Sequence, residues 1–148
     1  MLHIRRYEDK DFNDYVATLE KTTSLGEETQ SELEAMLNKV NKEHIWVAEL
    51  NKKAVGFMIL TQNTDGSLEV DWLDVHPDFQ RKGIGTLLVK KACEVAKEKE
   101  FKILSVHTHE KNEKMMQFSI KNGFEMVERI RNFYGEGKDA LHLKKRVA

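Results

Sequence analysis

Apolar and polar residues alternate at the start of the chain, Leu2 and Ile4 against His3 and Arg5, a period-two pattern that predicts a strand over residues 2–7. The period then changes. Phe12, Tyr15, Val16 and Leu19 recur at helical spacing behind Asp9 or Asp11 as a cap, and Thr22–Gly26 breaks the pattern. Leu33, Met36, Leu37 and Val40 mark a second helix over roughly residues 28–41. Three strand-like runs follow, at 45–50, 54–61 and 68–75. The first two are joined by Asn51-Lys52-Lys53, short enough for a hairpin, and Asn63-Thr64-Asp65-Gly66 turns the chain into the third. From Gly83 to about Lys99, Ile84, Leu87, Leu88, Lys91, Ala92, Val95 and Ala96 trace a helix with one apolar face. Residues 103–107 read as a buried strand, and 112–122 as a shorter helix ended by Gly123. Two strands, 124–130 and 140–147, close the chain through Gly135-Glu136-Gly137. The order βααβββαβαββ predicts an α/β fold. Its sheet is mixed and mostly antiparallel, flanked by helices, in a single domain over residues 1–148.

Composition narrows the function classes. With 24 basic and 25 acidic side chains in 148 residues, no global charge draws the chain to nucleic acid or membrane. No run approaches the roughly 20 apolar residues of a membrane span, and the first residues carry no signal-length apolar stretch. Cys93 is the single cysteine, so no disulfide framework is expected; it falls on a helical pattern and reads as a packed core thiol. A reducing, cytoplasmic setting is the simplest expectation.

Any cationic ligand site must therefore be local, and Gln80-Arg81-Lys82-Gly83-Ile84-Gly85-Thr86 provides one. It follows an apolar strand and opens a helix whose first-turn N–H groups have no internal partners. Gly83 and Gly85 admit a ligand close to the backbone, and Arg81 and Lys82 add mobile positive charge. The spacing is not that of a P-loop, because Gly83 lacks the G-K-[ST] partners. Nor is it a dinucleotide fingerprint, because Leu88 stands where the third glycine belongs.

Gln80, Gly83 and Gly85 instead match the pattern Q/R-x-x-G-x-G/A, and this segment resembles the pyrophosphate-binding signature of the GNAT acetyltransferases. The approach Leu73-Asp74-Val75-His76-Pro77 is similar to the family's as well. A second motif, Asn112–Phe124, resembles the family helix N-x-x-A-x-x-[LF]-Y-x-x-x-G-F at Asn112, Phe118, Gly123 and Phe124. The pattern lies nearest to the protein N-terminal acetyltransferases of the ribosomal-protein-alanine type. The resemblance implies that acetyl-CoA is the acetyl donor, with no metal, and that a primary amine attacks it directly. Gln80, Arg81, Lys82, Gly83, Ile84, Gly85 and Thr86 would hold the pyrophosphate. Main-chain groups of Leu73 and Val75 would receive the pantetheine arm, and Asn112 would bond it from the second motif.

The amine must lose a proton, and two positions match bases used in different branches of the family. These are His107, on the strand leading to Asn112, and Glu69, on the strand leading to Val75. A histidine suits a base at neutral pH, whereas Glu69 would need burial to raise its pKa. His109 shares a face with His107 by strand alternation. Ser119 falls where the family often carries a tyrosine acid; its hydroxyl is a weaker donor that could bond the sulfur or hold a water. Phe133-Tyr134 resembles the paired aromatics that N-terminal acetyltransferases place over a peptide's first residues. Acceptor choice is expected around residues 22–27 and in this last hairpin. The expected partner is an amine (a peptide N-terminus, a lysine or a small amine), with no nucleic acid or membrane, acting on a monomer or homodimer. The alternative is a non-catalytic coenzyme A-binding sensor or interaction module.

Overall fold

The computed structural model describes residues 1–22 and 29–147. Among them the elements run β1 (Leu2–Arg6), α1 (Phe12–Thr22), α2 (Thr29–Lys39), β2 (Ile45–Leu50), β3 (Lys53–Gln62), β4 (Leu68–Val75), α3 (Ile84–Glu98), β5 (Ile103–His109), α4 (Glu113–Lys121), β6 (Glu125–Ile130) and β7 (Ala140–Arg146). This is the predicted order. The strands are hydrogen-bonded as β1-β2-β3-β4-β5-β7-β6, a mixed, mostly antiparallel sheet in which β4 runs parallel to β5. No helix among the described residues is long and apolar enough to cross a membrane.

Three boundaries differ from the sequence expectation for a local reason. Thr22 continues α1, because its hydroxyl donates to the Thr18 carbonyl at 2.9 Å and stays within the helix. Of the predicted break, Ser24 and its neighbours from Thr23 to Glu28 lie outside the described residues, as do the expected start of the second helix and most of the segment given to acceptor choice. That helix ends early, since Asn41 turns to cap a 3-10 turn and accepts from Glu43 N–H at 3.0 Å. The β2–β3 loop holds two residues rather than three. Asn51 and Lys52 both take left-handed φ, 51° and 68°, the geometry of a tight hairpin turn.

Two compact units divide the chain: Met1–Thr61 with Trp72–Lys91, and Gln62–Asp71 with Ala92–Ala148. The first buries an apolar cluster. Tyr15 from α1 stacks on Phe57 from β3 at 4.1 Å, and Leu19, Leu33, Ile45, Val47 and Ile59 are fully buried around them. Each such side chain contributes about 1.5–3 kcal/mol of transfer free energy. Gly56 of β3 is where α3 approaches: a Cβ there would lie 2.9 Å from Ile84 Cγ2. Close packing at Gly56 therefore fixes the first turn of α3 on the strand beside it.

In the second unit β5 pairs antiparallel with β7 from Ile103↔Arg146 to His109↔Ala140, which carries β5 two residues beyond its predicted end. Alternation sends Leu104, Val106 and Thr108 to one face and Ser105, His107 and His109 to the other. On β7 the same division separates Leu141 and Leu143 from His142 and Lys144. Gly123, at φ +91°, closes α4 as predicted: its N–H donates to the Ile120 carbonyl at 3.0 Å, and Phe124 N–H to the Ser119 carbonyl.

Candidate active site

In the first unit, the chain leaves β4 at Val75 and passes through a 3-10 turn, Pro77–Phe79. Gln80 folds back, donating from Nε2 to the Val75 carbonyl at 3.0 Å. Arg81 and Gly83 then take left-handed φ, 64° and 81°, which swings the chain into α3. Leu87 is the first amide of that helix to find its acceptor, the Gly83 carbonyl at 3.0 Å. The N–H groups of Ile84, Gly85 and Thr86 ahead of it are the unsatisfied donors of a helix N-terminus. Nothing lies within 4 Å of a Cβ on Gly83, so the cradle is open on that side. Arg81 and Lys82 are exposed, with Lys82 Nζ poised 5.6 Å from the Phe79 ring centre. The seven residues predicted for the pyrophosphate thus run consecutively from the end of the 3-10 turn into the first turn of α3, with exposed Arg81 and Lys82 beside open helix amides. Leu73 and Val75 are half-buried on the strand that leads into it.

The second unit brings together the two candidate bases. Glu69 is buried at 5% exposure rather than lying on an exposed edge. Its Oε2 meets His107 Nδ1 at 2.8 Å and also accepts from the His107 backbone N–H at 3.0 Å. Its Oε1 accepts from Asn63 Nδ2 at 2.9 Å. With these donors aimed at it the carboxylate acts as acceptor, so Nδ1 of a neutral His107 carries the proton and Nε2 keeps the lone pair.

His107 is packed on both sides. His142, its antiparallel partner across β5 and β7, stacks on it at 4.0 Å between centroids, and Phe133 stacks at 4.9 Å with the planes 3° apart. Tyr134 stands edge-on to Phe133 at 4.9 Å and over His109 at 5.8 Å. Their loop is braced. Asn132 N–H donates to Asp139 Oδ1 at 2.9 Å, Arg129 Nε to Asp139 Oδ2 at 2.8 Å, and Arg129 also pairs with Glu110. Burial and the charges of Glu69 and Asp71 push the Tyr134 phenol up. Partial desolvation and the Glu69 charge raise the carboxyl of Asp71, itself exposed on β4, as well. The surroundings of His107 are therefore acidic and aromatic, suited to receiving an ammonium group.

Glu69, His107 and His142 also form a possible metal donor set, their ligand atoms lying within 4.8 Å of one another. As arranged they do not converge. Glu69 and His107 are bonded to each other, His142 Nε2 is bonded to Ser105 Oγ, and two rings only 14° from parallel send their lone pairs side by side.

The model of the acetyltransferase (GNAT) family matches residues 9–124 of the sequence. The chain belongs to the acetyltransferase (GNAT) family. One curated relative, described as "Uncharacterized N-acetyltransferase MJ1207" from Methanocaldococcus jannaschii, is 31% identical over 103 residues, 66% of this chain and 46% of that protein. The chain thus spans about half the length of that relative. Among solved structures, the ribosomal-protein-S18-alanine N-acetyltransferase from Escherichia coli superposes with a TM-score of 0.81 at 18% identity, over 100% of this chain and 95% of that one. A GNAT family acetyltransferase from Elizabethkingia anophelis with acetyl-CoA bound gives 0.77 at 20% identity, over 98% and 97%. The fold is the one these solved acetyltransferase structures share.

Against the GNAT pattern, the remaining predicted residues fall as follows. Asn112 caps α4, its Oδ1 accepting from Met115 N–H at 3.1 Å. Ser119, in the family's tyrosine position, is 1% exposed and its hydroxyl has no hydrogen-bond partner among the described residues. His109 Nδ1 accepts from Lys111 N–H at 3.1 Å. Sequence reasoning missed His142, Ser105 and Asn63. The alternation of His142 and Lys144 with Leu141 and Leu143 is a polar-face signal on the last strand, but only the register shows that His142 faces His107.

Proposed function

We propose that the chain is an acetyl-CoA-dependent N-acetyltransferase in which His107 is the general base and Glu69 holds it. Glu69 and His107 are then not rival bases but one dyad. The observation that carries this reading is the 2.8 Å contact between His107 Nδ1 and Glu69 Oε2, which leaves Nε2 as the basic atom. Nε2 takes one proton from the bound ammonium and passes it to solvent. The freed amine nitrogen then forms a bond to the thioester carbonyl carbon, the C–S bond breaks to release the coenzyme A thiolate, and the second proton leaves the nitrogen for Nε2. Gln80–Thr86 take the pyrophosphate, main-chain groups at Leu73 and Val75 the pantetheine arm, and Asn112 assists from the start of α4. Ser119, buried and without a partner among the described residues, is the donor proposed to bond the sulfur. We further propose that residues 1–148 act as a single acetyltransferase domain with no catalytic metal.

Phe133 and Tyr134 belong on the acceptor side. Their rings, with the carboxylates of Glu69 and Asp71, support an acceptor that arrives as an ammonium on a flexible backbone, hence a peptide N-terminus. Thiol release from acetyl-CoA, followed with a lysine-free peptide and with the same peptide blocked at its N-terminus, tests this. Release with the free peptide alone is expected. Equal rates with both peptides would refute the peptide assignment. Bound acetyl-CoA that no amine turns over would favour the second reading, a non-catalytic coenzyme A-binding module, for which the serine in place of tyrosine at position 119 speaks.

A further inference from the structure

Among the described residues His142 has no hydrogen bond to Glu69 that would give it a direct part in acetyl transfer; its ring meets His107 and Ser105. It is 7% exposed, and its Nε2 lies 2.5 Å from the Oγ of Ser105, which is fully buried. Its Nδ1 stands 3.8 Å from Glu128, beyond hydrogen-bond reach. The ring is therefore pinned at one end and flat against His107. Two rings at 4.0 and 4.9 Å from His107 do not fit on one face of an imidazole, so His142 and Phe133 sandwich it.

This sandwich supplies what the dyad alone lacks. A single Nδ1 hydrogen bond leaves the His107 ring free to tilt about that contact or to flip, which would exchange the roles of its two nitrogens. Rings on both faces prevent the tilt. We propose that His142 is a positioning residue: an uncharged ring, anchored by Ser105, that holds the plane of His107 against Glu69 so that Nε2 keeps the lone pair. The proposal rests on the reading of His107 as the base. It also requires His142 to stay neutral while His107 gains a proton, because a neutral ring stabilises a stacked cation and a charged one opposes it. The groups facing the pair are Glu69 and Asp71 from β4, Glu128 from β6, Lys144 on β7 and Tyr134 from the hairpin loop. Burial, with the neighbouring His107, keeps the His142 imidazole below its ordinary value.

Side-chain nitrogen NMR of His107 in the free protein tests the proposal without any acetyl transfer. The wild type is expected to hold one tautomer, with Nδ1 protonated. His142→Ala should mix the tautomers, shift the acidic (ascending) limb of the kcat–pH profile and lower kcat about tenfold, with KM for acetyl-CoA within about twofold. His142→Phe restores a stacked ring that cannot titrate, and should recover the single tautomer and most of kcat. Ser105→Ala should act in the direction of His142→Ala, more weakly, and carries the same test should that variant not fold. An unchanged His107 tautomer and pH profile in a folded His142→Ala or Ser105→Ala protein overturns the proposal. So does a His142→Phe protein that behaves like His142→Ala. Absent thiol release by the wild type, with the tautomer effects intact, would instead overturn the functional reading.

Discussion

The two candidate binding regions are made of different parts of the chain. Around Gly83 the first unit presents main chain: left-handed φ at Arg81 and Gly83 and three open helix amides. Around His107 the second unit presents side chains gathered from β4, β5, β7 and the hairpin loop. A backbone cradle is written locally, and most side chains within it can change without altering its donors. A side-chain dyad has no such tolerance. Each member depends on strand register and on a neighbour that holds it still.

The comparison is sharpened most by His107→Ala. Loss of the base should lower kcat about a thousandfold while the acetyl-CoA Kd by calorimetry stays within about twofold. A matching loss of cofactor affinity would break the division between the two regions. The converse is Gly83→Val, which forces a β-branched residue to φ +81° with its Cβ in open space. Acetyl-CoA affinity should fall about tenfold, on the order of 1.4 kcal/mol, with the shape of the kcat–pH profile retained. Gly66→Val is the matched control, since Gly66 has φ +86° and is equally open. It should show similar backbone strain in thermal melts and unaltered cofactor affinity.

The smallest effect is expected at Asp74, half-buried on β4 with Thr22 as hydrogen-bond partner, where burial pushes the carboxyl up to about 6. A folded value above the unfolded one means that the native state holds the proton more tightly. Stability from this group is therefore present at low pH and lost as pH rises from about 4 to 6. Asp74→Asn should raise stability at pH 7.5 by about 1 kcal/mol, some 3 °C in Tm, with no gain at pH 4. A gain of equal size at both pH values would point to packing rather than charge. Both kinetic regions should be unaffected.

The glycine loop was the most legible part of the chain. Its glycines, its cations and the helix that follows are consecutive residues, so local spacing alone carried the assignment. The dyad was half legible. Glu69 and His107 each matched a base position, but they stand 38 residues apart, and without the β4–β5 pairing they read as alternatives. Ser119 was legible only as a departure. That its hydroxyl is buried and unbonded among the described residues depends on how α4 packs.

The order of elements, the open amides before α3 and the residue types available for proton transfer follow from local sequence alone. Helical and strand periods, glycine φ and helix termini depend on neighbours within a few positions. Only the tertiary structure decided that Glu69 faces His107 Nδ1, that Phe133 and His142 close both faces of the ring, and that Ser105 anchors the latter. Those contacts come from strand pairing and loop closure over tens of residues. A one-residue slip in register would turn every one of these strand side chains to the opposite face, and no local pattern reports which register the sheet adopts.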